Sequence, residues 1–203
     1  VKPKRKSAPL KAGPAGGEPE AGSAGGLDEL LEWLGHNDAL TLGERLERLR
    51  FLVGLNEEYG SGWIGFYNQA HDYLEYGSRC YLEGLYVPCI IMCQAAAEEQ
   101  MKGLLRSFGL EELVGSSMSD ILRDRRVRET FPRQVLRQLE DLRGRRNLYV
   151  HPPGPLDGRG YPDSRWLPNR MVAQKKAAGE LHADDARKAL RTVATFFTVL
   201  PEF

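Results

Sequence analysis

FPRQVLRQLEDLRGRRNLYVHPP, residues 131–153, decides the fold. Val135, Leu139 and Leu142 recur at helical spacing and Leu136 widens the apolar stripe, so the stretch reads as one amphipathic helix. Pro152 and Pro153 stop it. A residue before proline is disfavoured in the α region, which puts His151 at or just past the helix end. Arg146 and His151 are five positions apart, about 140° around an unbroken helix, and the prolines release the imidazole from that geometry. Two readings of the pair follow from the residues themselves. Unpaired carbonyls at a helix C-terminus attract cations, so both side chains can be simple dipole partners. An arginine and a histidine can also be a phosphate clamp and a proton-transfer group.

Outward from this stretch the helical pattern continues. Leu27 begins it, and Thr41 with Glu44 has the form of a capping box ahead of Leu46, Leu49, Leu52 and Val53. An aromatic-studded segment, Trp63 to about Glu83, offers Phe66, Tyr67, Tyr73, Leu74, Tyr81 and Leu82 as core positions. Gly84 marks a turn, Pro88 suits the first turn of the next helix, and Gly109 suits its C-terminus. The short element Met118 to Asp124 precedes the opening helix. Residues 152 to about 169 hold five prolines and three glycines and read as a loop. Asp184 or Asp185 then caps a final helix through Phe197, with Ala186, Leu190, Val193, Ala194 and Phe197 inward. Strand signals are nearly absent. The expected fold is all-α, an antiparallel bundle of four to five helices.

Composition narrows the function classes. The 203 residues carry 28 basic and 28 acidic side chains, so no global field advertises a nucleic acid or a membrane. The longest apolar run, Leu85 to Cys93, is broken by Pro88 and falls short of the roughly 18 residues a membrane span needs. Three cysteines do not make a disulfide framework, and a reducing cytoplasm is the expected setting. Residues 1–26, rich in Gly, Ala, Pro and charge, contain only Val1 and Leu10 as large apolar side chains and read as a disordered basic tail. The expected organisation is therefore a tail over 1–26, an N-terminal helical extension over 27–59 and a helical bundle over 60–203.

Charge is uneven within that neutral total. Arg123 to Arg146 contains nine arginines against four acidic residues. Such a stripe is either a solvated helix face or a track for phosphates, with Arg137, Arg143 and Arg145 as the phosphate-binding candidates beside the motif. Competing sites are weaker. Glu98 and Lys102 have the spacing of a helix-supporting ion pair. Cys80, Cys89 and Cys93 lack a fourth ligand and read as packed small hydrophobes, so no metal site is expected. His71 and Asp72 lie among aromatics, and His182 reads as a loop residue. The glycines of GRGYPDSRW, residues 158–166, do not precede a helix as a phosphate-cradling loop requires.

Arg146-Asn147-Leu148-Tyr149-Val150-His151 resembles the R-x4-6-H signature of HEPN domains, including the polar residue after the arginine. The segment from Tyr73 to Leu105 is similar to the family's A-x-E-x-x-x-K-x-L-L helix, matched at Ala96, Glu98, Lys102, Leu104 and Leu105. The likeness spans about Trp63 to Phe197. It implies a helical bundle, commonly a homodimer, often a metal-independent endoribonuclease or RNA-binding protein of the defence or toxin type, with no cofactor. Arg146 would hold the scissile phosphate, His151 would transfer a proton, Asn147 would orient one of them, and Glu98 would support the site. The resemblance equally admits a catalytically silent module that binds a nucleotide or a partner protein, so it leaves open whether the chain is an enzyme. Some toxin members carry a tyrosine two residues after the histidine, modified by a neutralising nucleotidyltransferase partner. Here Pro153 stands in that place.

Overall fold

The computed structural model describes residues 24–60, 67–151 and 167–198, and among them it contains eight α-helices and no strand. The chain divides into two compact units, residues 1–43 and 44–203. The helices are α1 (Ala24–Tyr59), α2 (Asn68–Leu82), α3 (Tyr86–Ser107), α4 (Met118–Arg123), α5 (Arg125–Thr130), α6 (Arg133–Val150), α7 (Leu167–Gln174) and α8 (Ala178–Thr198).

The second unit is an antiparallel bundle. The chain reverses between α2 and α3 through Gly84, whose φ of +75° is the left-handed conformation glycine adopts without a steric penalty. At one end, Phe131 just before α6 lies 6.1 Å from Phe108 after α3 and 6.3 Å from Phe196 near the end of α8, centroid to centroid. At the other end the last turns of α6 meet the first turns of α8. Leu74, Tyr81, Ile90, Met101, Leu139, Leu142, Leu190, Val193 and Phe197 are buried between the helices. Gly103 on α3 admits the ring of Tyr67, and a Cβ there would stand 2.0 Å from the ring carbons. The Tyr67 hydroxyl donates to the Gly103 carbonyl at 2.5 Å.

The second half of α1 joins this bundle through Arg48, 6 % exposed, whose Nε donates to the Leu82 carbonyl at 2.8 Å and whose Nη1 donates to the Tyr86 hydroxyl at 3.2 Å. Leu55 is buried there, while Leu46, Leu49 and Val53, which recur at helical spacing, are exposed. α1 is one continuous helix. Thr41 is interior to it and donates to the Asn37 carbonyl at 3.0 Å, and Glu44 pairs with Arg48, so the expected capping box does not form. In the first unit the described side chains include the exposed Leu30, Leu31, Trp33, Leu34, Leu40 and Leu42.

The short helices have legible causes. The Ser117 hydroxyl accepts from the Asp120 amide at the start of α4, and the Asp124 carboxylate accepts from the Arg126 amide at the start of α5. Asp124 thus ends one helix and begins the next, which is why α5 follows α4 without a loop. The loop expected to end at about residue 169 gives way to α7 at Leu167. The final helix begins at Ala178, earlier than Asp184, because the Glu180 carboxylate reaches back to accept from the Ala177 amide at 2.8 Å. The expected tail lies outside the described residues up to position 23, as do Trp63, Phe66 and GRGYPDSRW.

Candidate functional site

The candidate site is the end of the bundle where α6 stops. Its apolar stripe, Val135, Leu139 and Leu142, continues after four residues to Arg146, so the guanidinium occupies the core-facing row just where the core ends. The side chain is half-buried there. Its Nη1 donates to the Asn147 side-chain oxygen at 3.2 Å, and among the described residues it has no carboxylate partner. His151 is exposed and caps α6, its amide donating to the Asn147 carbonyl at 2.8 Å. Its φ of −128° and ψ of 68° leave the helical region, as the following proline requires. Asn147 therefore touches both partners, the arginine through its side chain and the histidine through its backbone.

Beside this pair lies a buried charge cluster that sequence reasoning missed. Asp185 on α8 is 0 % exposed. It accepts from Arg170 Nη1 at 2.5 Å and Nη2 at 2.8 Å, from Arg145 Nη1 at 2.5 Å and from the Tyr149 hydroxyl at 2.7 Å. Burial pushes the carboxyl's pKa up, but the bonds from Arg170 and Tyr149 and the nearby Arg145 charge outweigh it and hold the group below the usual carboxylate range. Burial, reinforced by the Asp185 carboxylate, raises the Tyr149 phenol well above its ordinary value. His182 sits edge-on to Tyr149, centroids 5.3 Å apart, and burial lowers its pKa against the opposing pull of Asp185. Far from being loop and cap residues, His182 and Asp185 are inside α8. The signal was present: Leu181, Asp185, Ala189 and Val193 lie in one row of a helix, so a helix beginning before Leu181 turns Asp185 inward.

The cluster sorts the expected phosphate ligands. Arg145 is held by Asp185 and by Asp141 at 2.8 Å, and Arg143 by Glu140 at 2.6 Å. Arg137 is exposed near the start of α6. Glu98 accepts from Gln94 at 2.9 Å, whereas Lys102 pairs with Glu99 at 2.7 Å, so the expected Glu98–Lys102 pair is not made. Glu98 lies twelve residues into α3. Cys89 and Cys93 are buried in the core and Cys80 is half-buried, all three as free thiols. Among the described residues no group of three or more His, Cys, Asp or Glu could hold a metal ion, and no helix is long and apolar enough to cross a membrane. His71 and Asp72 are exposed on α2.

What the arrangement can do chemically is bind an anion at Arg146 and exchange a proton at His151, with Asn147 between them. A protein-family model for the HEPN domain matches residues 65–202. No curated protein and no solved structure gives a significant match. The family match extends over more than half of the chain and contains both the bundle and its arginine–histidine end; the chain belongs to the HEPN domain family.

Proposed function

We propose that this protein cleaves RNA without a metal cofactor, using Arg146 to hold the scissile phosphate and His151 to move a proton. The observation that carries the reading is selective neutralisation at the end of α6. Arg143 and Arg145 are each matched by a carboxylate, while Arg146 between the core and solvent has only an amide oxygen. An uncompensated, half-buried guanidinium is a strong anion site, because the low local dielectric strengthens its bonds to a phosphate.

The chemistry follows from those positions. The 2′-hydroxyl oxygen of the substrate attacks the adjacent phosphorus, and the bond to the 5′-oxygen of the next nucleotide breaks. His151 takes the proton from the attacking hydroxyl, and the leaving oxygen must gain one. Arg146 stabilises the added negative charge on the phosphoryl oxygens. Asn147 fixes the arginine through its side-chain oxygen, leaving its amide hydrogens for the phosphate. The products are a 2′,3′-cyclic phosphate and a 5′-hydroxyl. A two-fold pairing of chains through this end would supply a second His151 as the acid.

Incubation of mixed RNA with the purified protein in EDTA tests the reading. Wild type should cleave and leave cyclic phosphate ends, and Arg146→Ala or His151→Ala should lower the rate by about a hundredfold or more. Equal cleavage by all three preparations would identify a contaminant. RNA binding without cleavage in wild type would replace the nuclease with a silent binding module.

A further inference from the structure

Away from the Arg146–His151 end, α4, α5 and the first half of α6 enclose a concave groove of about 800 Å³. Arg123, Arg125, Arg128, Arg133 and Arg137 line it, with Leu122 and Leu136 as its apolar floor. All five arginines are exposed and the two leucines are buried. Glu129 and Glu140 also line the groove, but each is already matched, Glu129 by Arg125 at 2.7 Å and Glu140 by Arg143 at 2.6 Å. Arg123, Arg128, Arg133 and Arg137 have no carboxylate partner among the described residues. Four uncompensated guanidiniums facing one hollow repel each other, and the arrangement is relieved by a polyanion. The N-terminus of the 18-residue α6 opens at the same place with no side-chain cap, adding its positive dipole end.

The groove is connected to the candidate site by the helix itself. Arg133, Arg137, Glu140, Gly144, Asn147 and His151 are spaced by four, three, four, three and four residues, which is one outward row of an α-helix. The row covers about 27 Å from the groove to His151. From these observations we infer that the groove is a second binding site for the substrate, holding the phosphate backbone of single-stranded RNA whose downstream or upstream nucleotides lead along α6 to His151. A flexible strand can lower individual sugar–phosphate units into a concavity, with Leu122 and Leu136 against the ribose or base. A duplex presents its phosphates on a rigid convex surface and does not enter. This inference rests on the RNA-directed reading above and deepens it by assigning length and strandedness to the substrate.

The test reads binding, not turnover. The full chain carrying His151→Ala is titrated against a fluorescein-labelled single-stranded RNA of roughly 20 nucleotides, enough to reach from groove to pole. Adding Arg133→Gln and Arg137→Gln should weaken binding about tenfold or more and make the slope of log affinity against log salt shallower by about 1.4. Adding instead Arg50→Gln and Arg79→Gln, which lie outside the groove, removes the same charge and should change affinity far less. The matching duplex should bind more weakly than the single strand. Equal losses in the two double variants, or no loss in the groove variant, would overturn the inference. So would ATP binding that the groove substitutions abolish while RNA affinity stays unchanged. Circular dichroism melts confirm that the variants are folded. An inert wild type with groove-dependent RNA binding would sink the nuclease and keep the groove, and an active wild type indifferent to the groove substitutions would do the reverse.

Discussion

A carboxylate without solvent contact has to be matched by donors, and Asp185 finds Arg170, Arg145 and Tyr149. These bonds join α7 and the last two turns of α6 to α8, and Arg145 is the immediate neighbour of Arg146. Removing one partner of such a cluster leaves the others desolvated and unpaired. Asp185→Ala should therefore lower the unfolding free energy by about 3 kcal/mol. Urea unfolding measures it, and an unchanged midpoint would mean that Arg145 and Arg170 find water or new partners at no cost. The sequence reading took an aspartate here as the helix cap; its inward row was legible once the helix starts before Leu181, but its donors were not, because they come from positions 15, 36 and 40 residues away.

At the scale of elements, α6 and α8 meet through groups that titrate. His182 packs against Tyr149, with Asp185 and Arg170 as its charged neighbours. Its folded pKa is lowered, so between that value and about 6.5 the unfolded chain binds more protons, and stability falls as pH falls through this window. The folded pKa of Asp185 is also lowered. Its contribution is complete above about pH 4 and is lost as pH drops through the folded value. Denaturation midpoints measured from about pH 8 to pH 3 should thus decline in two stages. His182→Gln should remove the first stage and leave the second, and loss of both or neither would break the assignment. The helix pattern of α6 and its end at His151 were readable from Val135, Leu139, Leu142 and Pro152. The end of α4 was readable too, since the short element was expected to stop at Asp124, but α5 was not, because it depends on the same Asp124 serving as its N-cap.

At the scale of the whole molecule, burial among the described residues is confined to one unit. Every buried side chain among the described residues, from Arg48 to Phe197, belongs to residues 44–203. A chain of residues 44–203 should accordingly unfold cooperatively with a melting temperature within a few degrees of the full protein, as differential scanning calorimetry would show. A large drop would mean that residues 1–43 contribute burial in solution. Along α1, Leu46, Leu49 and Val53 are exposed, while Arg48 is buried against the turn between α2 and α3.

The amino-acid sequence by itself determined the all-helical architecture, the end of α6 at its prolines, the core rows of α6 and α8 and the placement of Arg146, Asn147 and His151 at the end of α6. Each of these depends on contacts within a few residues, where period, capping and proline geometry act directly. Only the tertiary structure decided which arginines are neutralised, because an arginine's partner is chosen by packing and not by spacing. Arg145 goes to Asp185 and Arg143 to Glu140, Arg146 has no carboxylate partner among the described residues, and four further arginines line a common groove.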